Sequence, residues 1–290
     1  MSDQLLGFMF EETDIRGAVV ELDQSFLNLV NNHDYPDAYK ALMSQFVAAN
    51  VLLTSKLKFE GSISLQARGV SEQISLALSE CSDSLGFRGI LRGEFGTDNG
   101  VLPCFSELFL GGALALTVEP AHGQRYQGVV PLEKEDLAGC LQDYFERSEQ
   151  IPSWFYFVPN ANSVRGIMLQ ALPTQICESA EQREEDWRRI VHLASTIKPL
   201  EMLNLASEDI LYRLFHEESV RIFEPKTVTY ECSCSRERME RALIGLGRDE
   251  LEDILAEQGK LATQCEFCMT DYVFEASDIH QLIRAGKSDN

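Results

Sequence analysis

Positive charge is scarce in this chain: 25 Lys and Arg stand against 46 Asp and Glu, a formal net charge of −21 over 290 residues. Such a balance repels phosphate backbones and argues against nucleic acid as the main partner. Long hydrophobic runs are also missing. The longest apolar stretch, Leu108 to Val118, contains Gly111 and Gly112 and falls well short of the roughly 20 residues that span a bilayer, so no membrane partner is expected. The amino terminus has no basic residue before Arg16 and runs into Glu11, Glu12 and Asp14, the wrong layout for a secretory signal. The expectation is a cytosolic protein. Motifs of catalysis are lacking as well, with no GxSxG and no GxGxxG after a strand, and His33, His122, His192 and His280 form no spaced set. His216-Glu217-Glu218 is followed by Val220 where a metalloprotease needs its second His, and Gly286-Lys287-Ser288 has Gln281 in place of a phosphate loop's first Gly. No catalytic residue is assigned, and the protein is not expected to be an enzyme.

What the chain does have is clustered thiols. Of eight cysteines, Cys232 and Cys234 form a CxC pair and Cys265 and Cys268 a CxxC pair. Folding the intervening segment back on itself presents four sulfurs to one centre, a donor set suited to one tetrahedral zinc ion. Ser233, Ser235, Arg236, Glu237 and Glu266 make the surroundings polar, which fits poorly with merely buried thiols. From Cys232 to Cys268 there are eight acidic and five basic residues, so the segment carries no basic stripe for nucleic acid. In a reducing compartment clustered cysteines are metal-binding or redox-sensing rather than structural disulfides. A thiol oxidoreductase site is the alternative reading of the CxxC, but such motifs open a helix, whereas Cys268 precedes the strand-like Asp271 to Phe274. Cys81, Cys104 and Cys177 are scattered, and Cys140 lies on an apolar helical stripe; packed or tolerated thiols are expected there.

The hydrophobic pattern predicts an α+β fold in three parts: an amino-terminal sheet-and-helix core (1–176), a helical linker (177–219) and a small carboxy-terminal zinc-binding domain (220–290). Strands are predicted at Ile15–Leu22, Leu57–Leu65, Ile74–Leu78 and Phe87–Phe95, a hairpin at Leu114–Val118 and Arg125–Val130, and two more strands at Trp154–Val158 and Val164–Leu172. Helices are predicted from a Ser25 cap to Val30, from Pro36 to Lys56 and from Glu133 to Arg147. Glu178 to Glu218 holds fifteen charged residues and two amphipathic helices divided at Lys198-Pro199. The first carries Trp187 and Ile190; the second, capped by Ser207, carries Leu211, Leu214 and Phe215. Helices this polar depend on docking for their stability and are easy to release. The last part has a thin apolar inventory, so metal is its expected staple.

Taken together, Cys-Ser-Cys-Ser-Arg-Glu-Arg at 232–238, Cys-Glu-Phe-Cys at 265–268, His33-Asp-Tyr-Pro36, Leu57-Lys-Phe-Glu-Gly61, Gly123-Gln-Arg-Tyr-Gln-Gly128, Asp143-Tyr-Phe-Glu-Arg-Ser-Glu149 and Leu211-Tyr-Arg-Leu-Phe-His-Glu-Glu218 resemble the heat shock protein 33 (HslO) family over the whole chain. The resemblance implies a redox-regulated holdase chaperone of the bacterial cytosol that binds unfolded client proteins under oxidative and heat stress. It implies that Cys232, Cys234, Cys265 and Cys268 hold zinc in a reduced, inactive form, that oxidation pairs Cys232 with Cys234 and Cys265 with Cys268 and expels the metal, and that activation brings a homodimer. Release of the zinc domain is then expected to undock the linker and expose Trp187, Ile190, Leu211, Leu214 and Phe215 to clients. Two other classes remain open: a constitutive zinc-stabilised interaction module and a thiol-disulfide exchange enzyme.

Overall fold

The computed structural model describes residues 3–96 and 104–285; Gly286-Lys287-Ser288 lies outside them. The chain opens with β1 (Gln4–Phe10), β2 (Ile15–Leu22), α1 (Gln24–Val30) and α2 (Asp37–Thr54). β3 (Gly61–Arg68), β4 (Leu76–Ser82) and β5 (Gly86–Arg92) follow, then α3 (Phe105–Leu108), the hairpin β6 (Ala113–Pro120) and β7 (Tyr126–Pro131), and α4 (Leu137–Tyr144). α4 runs into a π-helical turn, Phe145–Glu149, before β8 (Ser153–Val158) and β9 (Val164–Ala171). Three helices, α5 (Ala180–Ala194), α6 (Pro199–Asn204) and α7 (Ser207–Phe215), precede three short strands, β10 (Val220–Ile222), β11 (Lys226–Thr227) and β12 (Thr229–Tyr230). The remainder is α8 (Arg236–Ile244), α9 (Arg248–Gln258), β13 (Lys260–Gln264), β14 (Asp271–Glu275) and α10 (Ala276–Ala285). Two compact units result, Met1–Glu231 and Cys232–Asn290. Residues 220–231, grouped by the sequence with the zinc part, instead add strands to the sheets of the larger unit.

The larger unit contains two six-stranded sheets. One runs β10-β1-β2-β9-β8 with β11 also paired to β1; the other runs β12-β5-β4-β3-β6-β7. α2 lies between them because it is apolar nearly all round: thirteen of its eighteen residues are buried. Side-chain alternation gives the first sheet two apolar faces. Leu5, Ala18, Val20 and Met168 face the core built on α2, while Leu6, Phe8, Phe10, Val19, Ile167 and Leu169 face a second core covered by α5, α6 and α7. Gly17 is required here, since a Cβ at that position would collide with the Phe8 ring that lies over it.

The structure corrects several boundaries. Leu57 to Glu60 and Gly93 to Phe95 are outside strands, and the helix expected from Glu133 begins at Leu137, where the Asp136 side chain accepts the Gly139 N–H at 2.7 Å. Neither Ser25 nor Ser207 is a cap; each lies inside its helix and is buried. The region after Lys198-Pro199 is two helices rather than one, because Leu205 turns to an extended conformation. The first strand, β1, was not anticipated. Among the described residues no helix is long and apolar enough to cross a membrane.

In the smaller unit, Ser235 caps α8 by accepting the Arg238 N–H, and Gly259 closes α9 in the left-handed conformation. The buried apolar core consists of Leu243, Leu251, Leu261, Phe274, Ile279 and Leu282. Arg236 braces it, its guanidinium 4.4 Å from the Phe274 ring centre and 2.7 Å from Asp278. A core of this size is marginal without a further staple.

Candidate metal centre

Cys232 and Cys234 occupy the extended segment that ends at the Ser235 cap of α8. Cys265 and Cys268 occupy the turn between β13 and β14, whose register from Lys260–Glu275 to Gln264–Asp271 is fixed by antiparallel pairing. Within that turn the Met269 N–H reaches the Cys265 carbonyl at 2.8 Å and the Cys265 N–H the Thr270 carbonyl at 2.9 Å. Met269 takes a φ of 56°, the left-handed bend that brings Cys268 back over Cys265.

The result is a group of four thiols whose Sγ atoms all lie within 4.8 Å of one another. Cys232 and Cys265 are 3.7 Å apart and Cys234 and Cys268 3.4 Å apart, sulfur to sulfur. Zinc–sulfur bonds of about 2.3 Å in a tetrahedron require sulfur–sulfur edges of about 3.8 Å, so the donor set fits such an ion in both chemistry and spacing. Cys265 is buried and the other three are half-buried. The structure thus contains a four-cysteine cluster able to hold a metal ion.

The surroundings favour thiolate at Cys268. The Tyr272 hydroxyl donates to Cys234 Sγ at 3.1 Å, and Thr270 Oγ1 lies 3.2 Å from Cys268 Sγ. Burial raises the Cys268 thiol, but the Thr270 hydroxyl and N–H and the neighbouring thiols outweigh it and bring it down to about 7. Cys234 moves the other way, raised chiefly by burial. The Tyr272 phenol is held up to about 12, first by its hydrogen bond to Cys234, and so remains a donor. One thiol of the group is therefore readily ionised near neutral pH, the state that binds metal and reacts with oxidants.

The model of the Hsp33 protein family matches residues 3–275. The chain belongs to the Hsp33 family. It is 42% identical over 291 aligned residues to a 33 kDa chaperonin of Pseudomonas aeruginosa, covering 99% of this chain and 96% of that one. A 33 kDa chaperonin of Shewanella woodyi is 41% identical over 279 residues, covering 96% and 94%. The fold matches the crystal structure of the 33 kDa chaperonin, a heat shock protein 33 homologue, of Thermotoga maritima with a TM-score of 0.79 at 23% identity, covering 99% of this chain and all of that one. For this Hsp33 family member the cysteine cluster and the family together indicate a redox-linked, metal-associated chaperone.

The apolar linker residues singled out in the sequence are brought together on the outer face of the first sheet. Ile190, Leu211, Leu214 and Phe215 are buried in its second core and Trp187 is half-buried against it. Sequence reasoning missed what lies beneath them. Phe10 meets Phe215 edge-on at 5.0 Å between ring centres, and Phe8 lies 6.0 Å from the same ring. The alternation Leu6, Phe8, Phe10 was the available signal. The other cysteines are not gathered: Cys81 and Cys140 are buried, Cys104 is exposed and Cys177 half-buried. Burial pushes the Cys81 thiol up to about 12 and also raises Cys140, which makes both poor nucleophiles.

Proposed function

We propose that the chain is a redox-switched, ATP-independent holdase of the bacterial cytosol, with unfolding proteins as clients under oxidative and heat stress. The observation that carries the reading is that a unit whose described residues form a core of six buried apolar side chains places four sulfurs within 4.8 Å of one another. Cys232, Cys234, Cys265 and Cys268 would hold one zinc ion, which when bound supplies the unit with roughly 10–16 kcal/mol of folding free energy. The functional division is a core to residue 176, a releasable helical layer at 177–219, and a switch region from 220 whose opening strands the folded form keeps on the sheets of the larger unit.

Oxidation of the four thiols to two disulfides releases four protons and four electrons, which two molecules of hydrogen peroxide accept to give four waters. Pairing of neighbours, Cys232 with Cys234 and Cys265 with Cys268, removes all four donors and closes rings too small to restrain the chain. The opposite choice, joining Cys232 to Cys265, would close a loop of about 30 residues, worth about 3–4 kcal/mol, and would hold the unit folded. Neighbour pairing is what the resemblance to the Hsp33 family implies, and it leaves the unit unrestrained. Unfolding of the switch releases α5–α7, and clients meet Trp187, Ile190, Leu211, Leu214 and Phe215 together with the phenylalanines of β1. A surface of this kind suits non-native chains, while the net charge of −21 keeps the complex dispersed. Two activated chains would associate through the same uncovered apolar surface.

The test is light scattering from a denatured client diluted into reduced zinc-loaded protein or into protein treated with peroxide at raised temperature. Only the oxidised form should suppress aggregation, and a reductant should restore the inactive form. Cys265→Ser should lose tight zinc binding and be constitutively active. Equal suppression by both redox forms would mean a constitutive chaperone, and suppression by neither would favour the zinc-stabilised interaction module.

A further inference from the structure

In the larger unit, residues of both sheets and of the segment that ends α2 line a cavity of about 250 Å³. Its walls are apolar, with Leu53, Ile63 and Leu116 almost fully buried. Two cations line it, Arg16 from β2 and Lys56 from the end of α2.

Neither cation has a counter-ion among the described residues. Arg16 spends one terminal nitrogen on the Gln170 side-chain oxygen at 2.7 Å, and its Nε is buried with no hydrogen-bond partner. The half-buried Lys56 side chain makes no hydrogen bond or ion pair with the described residues. The one acid in the lining is Glu149, whose Oε1 is committed to the hydroxyls of Tyr144 and Tyr126 at 2.9 and 3.2 Å. Leaving two positive groups desolvated and unpaired beside apolar walls is costly, and an acceptor of opposite charge in the cavity removes that cost. Burial, and then the charges of Arg16 and Lys226, bring the Lys56 amine down to about 7.

We propose that this cavity is a binding site for a small monocarboxylic acid with an apolar body, its carboxylate paired with the guanidinium of Arg16 and with Lys56 Nζ and its body against Leu53, Ile63 and Leu116. A carboxylate matches the planar donor geometry of a guanidinium, and a single negative charge suits walls that could not solvate the second charge of a phosphate. None of its lining residues belongs to the thiol cluster or to the phenylalanine face beneath α5–α7.

The experiment is calorimetric titration of the reduced, zinc-loaded full chain with octanoate, with 1-octanol and acetate as controls. Octanoate should bind at one site per chain and at least tenfold more tightly than either control. Lys56→Gln should weaken octanoate at least tenfold while leaving octanol unchanged, and Arg16→Gln should do the same. Because Lys56 makes no polar contact, its variant keeps the test meaningful even if Arg16→Gln fails to fold; circular dichroism and zinc content verify each fold. No saturable octanoate binding, equal affinity for octanoate and octanol, or full affinity in Lys56→Gln would each overturn the assignment.

Discussion

α2 and the α5–α7 layer cover opposite faces of one sheet, yet they are made of different material. α2 carries two charged residues, Asp37 and Lys40, near its start and buries thirteen side chains, including Phe46, between two sheets. α5, with seven of the nine residues from Glu181 to Arg189 charged, buries Ile190, Ala194 and the polar Asp186 while turning its other side to water. A helix surrounded by sheet leaves only by unfolding the domain. A helix attached along one stripe can leave while the sheet survives, because its stability rests on docking rather than on propensity. The contrast gives one sheet a permanent cover and a removable one.

The contrast is broken if the two layers respond alike to truncation. Phe46→Ala should have the largest effect, about 3–5 kcal/mol, expressed as a lowered urea midpoint for the whole larger unit and as faster hydrogen exchange in α2 and both sheets. Leu211→Ala should fall toward the lower end of the about 2–5 kcal/mol seen for such changes, since the outer layer can settle into the space. Its effect should be local: exchange rises in α5–α7 while α2 keeps its protection, and the reduced protein begins to suppress client aggregation. If Leu211→Ala instead lowered the midpoint of the whole unit as Phe46→Ala does, the outer layer would be part of the permanent core and the uncovering reading would fail.

How much of this was legible beforehand depended on the range of the interaction. The four thiols were legible because a metal centre needs particular atoms at short sequence spacing, and CxC with CxxC supplies them. α2 was legible because Leu42, Phe46, Ala49 and Leu53 repeat at helical spacing, as was the β6–β7 hairpin, both local patterns. What escaped was set by distant partners. β1 gains meaning only beside β2 and β10, the latter more than two hundred residues away, where Phe10 pairs with Val220. Serines at 25 and 207 have the chemistry of caps, but the tertiary packing that buries them inside their helices overrides it. Nothing local separates Lys56 from any other lysine; its isolation appears only when β2, α2 and β6 meet.

A third distant contact yields the smallest of these effects. Asp14, 5% exposed, stands at the turn into β2, and its carboxylate accepts the backbone N–H groups of Gln175, Ile176 and Cys177 at 3.2, 2.9 and 3.3 Å. Arg183, on the first turn of α5, approaches the same carboxylate at 3.6 Å and donates to the Leu172 carbonyl at 2.8 Å. One buried acid therefore ties the start of the removable layer to the permanent sheet. Asp14→Asn keeps the shape but replaces a charged acceptor with an amide whose NH₂ faces the same donors, at a cost of about 1–3 kcal/mol. Because the contact lies at the layer's edge, exchange should quicken at residues 175–183 and along α5 by about 5- to 30-fold per one to two kcal/mol, with α2 and the sheet unchanged. The half-time for activation by peroxide should shorten in the same variant, since the layer starts closer to release. Unchanged exchange in α5 would show that docking rests on the apolar stripe alone, and would move the hinge of the removable cover from Asp14 to the packing of Ile190 and Phe215.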